Sequence, residues 1–450
     1  MNANRTDQFN TLSVPRAVLR QITPAVASQL VTIIYNLADT YFVGLLNQPV
    51  QTAAITVATP VFIFMTAISN LFGIGGASAL SRALGRREQD TARQICGVSF
   101  WCGLLTAVCF CLGFGLAMEP VLRLCGADAD TMPMALGYAR WTVVIGGTGT
   151  IMSALLANLI RSEGRSGAAG AGLMLGGLLN VILDPFFVLP QFLNLGAVGA
   201  AMATALSNRL ACVFFLCYLY RIRHSSVLSL QPGLLRYTRC HIGAILAIGL
   251  PAALQFALTV VSAAAQTRFM SQYGTEAIAA FGIVKRIDQL PLFTCVGVAN
   301  GLLPMLAYYA ASGNLTRRRQ SFRLGCAITV GFSTACLIVY EIFAPQIAGL
   351  FMDDTLTVLY SAAFLRRMVV AMPLMAVCYP MIIQFQTMGR ARESLIMSIL
   401  RKGVLDIPLL FLLDYLWGMY GLCWVQPLVD SIALVAALLL YRNLNRTKRT

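Results

Sequence analysis

Charge is scarce in this 450-residue sequence: 11% of residues are Asp, Glu, Lys or Arg, 58% are hydrophobic, and the mean hydropathy is +0.73. A water-soluble domain carries about 25% charged residues, so most of this chain is solvated by something other than water. Histidine is nearly absent, with only His224 and His241, which flank one basic loop. The thirteen cysteines form no CxxC pair, Cys109 and Cys111 coming closest. Scattered along apolar runs, they read as small packing residues, which leaves no disulfide framework, metal site or catalytic thiol. Polar helix faces are missing too. Thr142 to Leu156 carry no charge at all, whereas helices around a soluble core need a polar face. Arg5, Arg16 and Arg20 precede the first long run without a small-residue cleavage site, so no removable signal peptide is expected.

What is present is a series of apolar runs of ~18–25 residues, the length a helix needs to cross ~30 Å of hydrocarbon. Breaks at Gly, Pro and charge clusters predict spans near 18–44, 53–80, 94–118, 133–160, 167–190, 196–220, 241–271, 277–310, 321–344, 358–388, 393–413 and 418–441. Most of the net charge of +15 lies in alternate connections, which argues against nucleic acid as a partner. Arg82, Arg86, Arg87 and Arg93 form one cluster. Arg161 with Arg165, Arg221 to Arg239, Arg317 to Arg323, and Arg390 with Arg392 form the others. The intervening loops 45–52, 190–195 and 271–276 hold no Lys or Arg, and Arg123 is the one clear exception. By the positive-inside rule the basic loops, both termini and the tail Arg442 to Arg449 are cytoplasmic. The expectation is a multi-pass protein of the plasma (inner) membrane, acting as a monomer.

The chain also reads as doubled. Pro24 matches Pro251 and Asp39 matches Gln266 at an offset of 227; Gly85 matches Gly313 at 228; Pro120 matches Pro345, and Gly164-Arg165 matches Gly389-Arg390, at 225. Pro185 matches Pro408 at 223, then Gly196 and Gly199 match Gly418 and Gly421 at 222. No single pair is informative in an apolar sequence; the slow drift of the offset is. Six spans per repeat predict an all-α membrane protein of two six-helix bundles, related by a pseudo-two-fold axis along the membrane normal. Residues 1–220 form the first lobe, 221–240 a cytoplasmic linker and 241–450 the second lobe. Duplicated lobes around a cleft suit alternating access.

An ionisable group at mid-bilayer costs at least about 2.5–3.5 kcal/mol, so it is a functional candidate by default. Asp39 lies five residues before Gly44 and Asp184 six before Pro190. Both should sit roughly 8–9 Å below the outer surface. Thr204 reaches a similar depth, and Asn180 stands one turn from Asp184. This all-oxygen set suits a hard cation such as Na⁺, with no other metal; desolvated and close together, the same carboxylates could instead carry a proton. The plainer alternative is that Asp184 caps a helix break before Pro185 and Asp39 bonds backbone.

The segments Asn-Leu-Ala-Asp-Thr-Tyr-Phe-Val-Gly (36–44), Gly-Ile-Gly-Gly-Ala-Ser-Ala-Leu-Ser-Arg-Ala-Leu-Gly (73–85), Ile-Arg-Ser-Glu-Gly-Arg (160–165), Leu-Asn-Val-Ile-Leu-Asp-Pro (179–185) and Gly-Ala-Ala-Met-Ala-Thr (199–204) resemble those of the multidrug and toxic compound extrusion (MATE) transporters, prokaryotic type. The resemblance runs the whole length, and Asn-x-x-x-Asp-Pro is its most specific part. It implies a V-shaped antiporter that expels small organic solutes, often cations, in exchange for Na⁺ or H⁺, with no cofactor beyond that ion. It further implies that Asp39, Asn180, Asp184 and Thr204 bind the cation and that Tyr35 lines the cavity. Pro24 would be the kink of span 1, and Asn158 would belong to the polar network.

The second half departs from that pattern. Gln266, in place of Asp39, does not titrate, and its spans hold Arg268, Lys285, Arg286, Asp288, Arg366, Arg367, Arg401, Lys402, Asp406 and Asp430. Lys285 and Asp288 should neutralise each other at i,i+3, while Arg401 and Lys402 could snorkel from helix ends. Because basic groups outnumber acidic ones, a positive wall facing an anionic or zwitterionic substrate is expected. A basic cavity would also suit a lipid-linked oligosaccharide flippase, the alternative within transport. A membrane enzyme would need a clustered acid–base or metal set in an interface loop. The outer loops offer only acids such as Glu119, Asp128, Asp130, Asp353, Asp354 and Asp414, so catalysis is not expected.

Overall fold

The computed structural model describes residues 8–46, 48–351 and 354–446. Arg5, Asp353 and the final residues of the basic tail, 447–450, lie outside them. The described residues are helical nearly throughout and contain no strand. That follows from hydrocarbon as solvent: without water, every backbone N–H and C=O must be satisfied within its own segment. Spans 1 to 3 are Val14–Gly44, Pro49–Gly85 and Gln89–Leu116. Span 4 is composite, Met132–Ala139, a π-helical turn Arg140–Ile145, and Gly147–Ser162, bent by 45°. Spans 5 and 6 are Ser166–Val188 and Gly196–Ile222. A 3₁₀ turn, Pro232–Tyr237, leads into span 7, Thr238–Met270. Spans 8 and 9 are Thr275–Ala311 and Leu315–Gly349, and span 10 is Thr355–Val369 with Met372–Thr387, bent by 48°.

The last stretch, 391–442, is helical almost without interruption, yet it is two spans. Arg401 Nε lies 2.7 Å from Asp430 Oδ1, 29 residues along the chain. A continuous helix would hold those residues about 44 Å apart. The chain reverses at Gly418, whose φ of 56° and ψ of −141° leave the helical region. Spans 11 and 12 therefore meet there, which makes twelve.

The duplication is visible in the backbone. Gly196, opening span 6, and Gly418, opening span 12, have φ of 57° and 56°, and Gly164 and Gly389 have 83° and 70°. Only glycine adopts such values without strain. The breaks in spans 4 and 10, at Gly146 and Ala371, are likewise related by the offset of 225. Spans 1 to 6 pack on one another, as do 7 to 12, and the lobes meet where spans 1 and 2 cross spans 7 and 8.

That seam lies toward one face only, which carries both ends of the described chain and the basic loops. A Cβ on Gly297 or Gly301 of span 8 would lie 2.8 Å from the Cα of Val26 or Ile22 of span 1. The symmetric crossing repeats this, since a Cβ on Gly249 of span 7 would overlap the Leu71 carbonyl of span 2. On the same face Asn10 Nδ2 donates to Tyr308 Oη (3.0 Å), Ser78 Oγ to the Gln386 carbonyl (2.8 Å), and His241 Nε2 meets Gln94 Oε1 at 2.8 Å. The linker is fastened there too. The buried Glu163 accepts from Arg165 Nε (2.7 Å), Ser226 Oγ (2.7 Å) and Val227 N (2.9 Å). Toward the opposite face, spans 2 and 7 diverge around a cleft of about 710 Å³ between Thr56, Pro60 and Ile63 on one wall and Phe256, Val260 and Thr267 on the other. The molecule is a V joined at its basic face.

Overpacking a tight contact costs about 1–3 kcal/mol. Gly249→Val should therefore lower the Tm of the purified protein by several degrees, whereas Gly243→Val, with open space around its Cβ position, should leave it unchanged; thermal unfolding by intrinsic fluorescence measures both.

Candidate cation site

Spans 1 and 5 run parallel in a fixed register. A Cβ on Gly170 would lie 2.6 Å from the Pro24 carbonyl oxygen, and one on Gly177 would lie 2.6 Å from Val31 Cγ1 and 3.3 Å from Tyr35 Cδ1. Both contacts have an offset of 146, and carrying that register two more turns brings Asp184 level with residues 38 and 39. Small residues on span 5 thus let span 1 press its polar residues against those of span 5. Pro24 sits within an unbroken helix Val14–Gly44, so span 1 does not break at Pro24 in this conformation.

Asp184 and Asn180 are buried, and Thr204 of span 6 is 6% exposed. Asn180 Nδ2 donates to both Asp184 Oδ1 (3.3 Å) and Thr204 Oγ1 (3.1 Å). Asp184 lies within the helix Ser166–Val188 and caps nothing, which removes the plainer alternative for this residue. Asp39 is within electrostatic reach of Asp184, Tyr35 and Tyr138. Tyr138 of span 4, 8% exposed, carries no signal in the sequence that separates it from other interfacial tyrosines.

Three buried oxygens here accept no hydrogen bond from the protein: Asp39 Oδ1, Asn180 Oδ1 and Asp184 Oδ2. Two carboxylates, an amide oxygen and a hydroxyl make a hard donor set of the kind that Na⁺-like cations take, and an uncompensated buried carboxylate is strongly unfavourable. The residues fit a monovalent cation or a proton. Asn158 stands apart: it accepts from Arg161 Nη1 (2.9 Å) near the basic face and packs against Gly73. Its place in the carboxylate network is therefore not supported, for it is a turn from the wrong end of span 4.

Three of the seven basic groups from which a positive wall was expected are matched within the second lobe and do not form it. Lys285, Arg401 and Lys402 are matched by Asp288, Asp406 and Asp430 in one electrostatically coupled group. Arg401 does not snorkel; it is 1% exposed, paired with Asp430 and stacked over Tyr379 at 4.5 Å. Lys402 Nζ donates to Gln426 Oε1 (2.9 Å) and lies 3.9 Å from Asp406 Oδ2. Ser262 Oγ donates to the same Asp406 oxygen, and Gln266 Nε2 reaches Ser262 at 3.4 Å. No described ion pair within 4.0 Å joins Lys285 to Asp288; Lys285 lies over the Phe281 ring instead. Arg286, Arg366 and Arg268 are exposed, and Arg268 lines the cleft.

Four acids of the far face serve local structure. Asp128 accepts from Thr131 N and Oγ1 at 2.8 and 2.6 Å, and these bonds hold its carboxyl below the ordinary value. Asp354 caps span 10 through Thr357 N (2.8 Å), Asp414 accepts from Tyr273 Oη (2.7 Å), and Glu119 pairs with Arg123 at 2.7 Å. The exception to the charge alternation is thus locally neutralised.

Removing one member of a buried ion pair costs about 3–5 kcal/mol, whereas replacing both by apolar residues is near neutral. Arg401→Met should accordingly lower the Tm markedly, and Arg401→Met/Asp430→Leu should recover most of the loss in the same thermal assay.

A family model described as MatE matches residues 24–186 and 251–412, one stretch in each lobe. The chain is 28% identical over 432 residues to the multidrug export protein MepA of Staphylococcus saprophyticus subsp. saprophyticus, covering 96% of this chain and 94% of that one. It is 27% identical to MepA of Staphylococcus aureus strain MRSA252 over the same shares. Among solved structures it resembles an outward-facing multidrug resistance MATE family transporter of the MOP superfamily, with a TM-score of 0.91, 24% identity and 98% of both chains covered. A MATE structure in complex with MaD3S matches with a TM-score of 0.90, 25% identity, and 98% and 99% of the two chains. Together with the twelve spans in two lobes, the double match shows that this chain belongs to the MatE family of membrane transporters.

Proposed function

We propose that this protein exports small organic solutes of the multidrug type by antiport with Na⁺ or H⁺ through alternating access. The observation that carries the coupling is the set of three buried, unpartnered oxygens on Asp39, Asn180 and Asp184. Export of drug-like compounds is what the names of the MepA relatives describe. With the basic face in the cytoplasm, the cleft between spans 2 and 7 opens outward, and the carboxylates are reached from the side on which Na⁺ and H⁺ are abundant.

The cycle follows from differential affinity. A ligand shifts a two-state equilibrium only as far as it binds one state better. Cation entry from outside would discharge the carboxylate pair and favour repacking of span 1 about Pro24, where the missing N–H weakens the helix. Solute leaving into the cleft would complete the exchange. Each positive charge moving inward gains about 2.3 kcal/mol per 100 mV, enough for roughly a fifty-fold solute gradient when coupling is tight. The names of the MepA relatives favour export over a lipid-linked oligosaccharide flippase, and the matching of Lys285, Arg401 and Lys402 by acids weakens the support that a basic cavity gave the flippase.

Membrane vesicles loaded with a fluorescent dye, given a Na⁺ gradient or a pH gradient separately, test this. Efflux should follow one of the two gradients, and Asp39→Asn should reduce the gradient-driven rate at least about tenfold. Efflux by Asp39→Asn at the wild-type rate under both gradients would refute the site.

A further inference from the structure

The cation site of the first lobe has a counterpart in the second that is built from different residues. An offset of 222, that of Gly196 and Gly418, relates Asn180 to Lys402, Asp184 to Asp406 and Thr204 to Gln426. The offset of 227 relates Tyr35 to Ser262 and Asp39 to Gln266. The proline pair 185 and 408 gives 223; the side-chain contacts among 402, 406 and 426 are the ones that match 222. In the first lobe the side chain at 180 donates to those at 184 and 204, at 3.3 and 3.1 Å. In the second, the side chain at 402 lies 3.9 Å from the carboxylate of 406 and donates to 426 at 2.9 Å. One central donor reaches the same two partners in both lobes.

The donors differ by a full charge. An amide at 180 leaves two carboxylates, Asp39 and Asp184, without a cation among the side chains that touch them. At 402 an ammonium has Asp406 as its nearest carboxylate, with Asp430 reached through Gln426 (Nε2 to Oδ2, 3.0 Å) and itself paired with Arg401, while the position of Asp39 is taken by the neutral Gln266. The first set is short of positive charge, and the second is balanced by its own chain.

We infer that Lys402 is a tethered cation: its ammonium fills in the second lobe the place that the external ion takes in the first, and so closes that position to Na⁺ and H⁺. This rests on the reading of Asp39 and Asp184 as a cation site. It makes coupling one-sided, since only the first lobe exchanges an ion. It also accounts for the absence of a carboxylate at 266, which would have left the second set with excess negative charge.

The test uses the full-length protein in detergent, first with Asp39→Asn/Asp184→Asn to silence the first lobe whatever its role. The Tm is followed as NaCl replaces choline chloride at constant ionic strength, and separately as the pH is lowered. Adding Lys402→Met should create a dependence on Na⁺ or on acid that the parent lacks, a rise of roughly 4–8 °C at saturation. Adding Asp406→Asn should abolish it. The same Lys402 and Asp406 variants on the wild-type chain guard against misfolding of the silenced parent. The inference falls if Lys402→Met responds no more than its parent, or if the response survives Asp406→Asn. It falls also if Lys402→Met folds under no condition while Lys402→Met/Asp406→Asn folds, which would make the pair purely structural. A Na⁺ response already present in the silenced parent would count against the first-lobe site alone, with Lys402→Met then scored by its increment.

Discussion

A charge held in hydrocarbon must be matched, and this structure can be understood through how each lobe meets that requirement. The second lobe meets it internally. Lys285, Arg401 and Lys402 face Asp288, Asp406 and Asp430, and the buried Arg401–Asp430 pair joins spans 11 and 12 across the Gly418 reversal. The first lobe gives Asp39 and Asp184 no ion pair among the described residues and leaves each with a buried oxygen that accepts no hydrogen bond; Asp406 Oδ1 of the second lobe shares the latter feature, but its carboxylate has Lys402 at 3.9 Å. Two lobes of one ancestry therefore have different electrostatics, and at the cation site the difference lies at two pairs of positions, 180 with 402 and 39 with 266.

The architecture places this difference where it can bear on shape. Glycines along spans 2, 7 and 8 let the lobes touch backbone to backbone at the basic face, while the cleft separates spans 2 and 7 toward the other. Span 1 takes part in both regions. Its lower half, through Ile22 and Val26, meets span 8, and its upper half carries Tyr35 and Asp39 against span 5. Pro24 lies just above an anchor on that lower half, Gln21, whose side chain donates to the Gly164 carbonyl (3.0 Å) and whose own carbonyl accepts from Ser166 Oγ (2.6 Å). A change of charge at Asp39 thus acts on the same helix that lines the seam.

Much of this was legible in the sequence, for definable reasons. Spans were readable because hydrocarbon demands long uncharged helices, and the doubling because glycines such as Gly196 and Gly418 occupy backbone conformations that other residues avoid. The shared level of Asp39 and Asp184 followed from counting residues along helices of fixed rise. The rest required contacts between distant segments. Arg401 and Asp430 are 29 residues apart, so their pairing has no signal in the spacing of neighbours on one helix, unlike the i,i+3 charges Lys285 and Asp288, which do act on each other. Asn158 was placed in the polar network by resemblance alone, and its contact with Arg161 instead ties it to the basic face. The π-helical turns 140–145 and 400–404 have no sequence signature.

The central claim is that the carboxylates of the first lobe, and not those of the second, take up the exchanging ion. Equilibrium uptake of Na⁺ and of protons by the purified protein, followed in parallel, tests it most directly. The account predicts that uptake is lost in Asp184→Asn and unchanged in Asp288→Asn of the second lobe. Uptake that persists in Asp184→Asn and disappears in Asp288→Asn would contradict it.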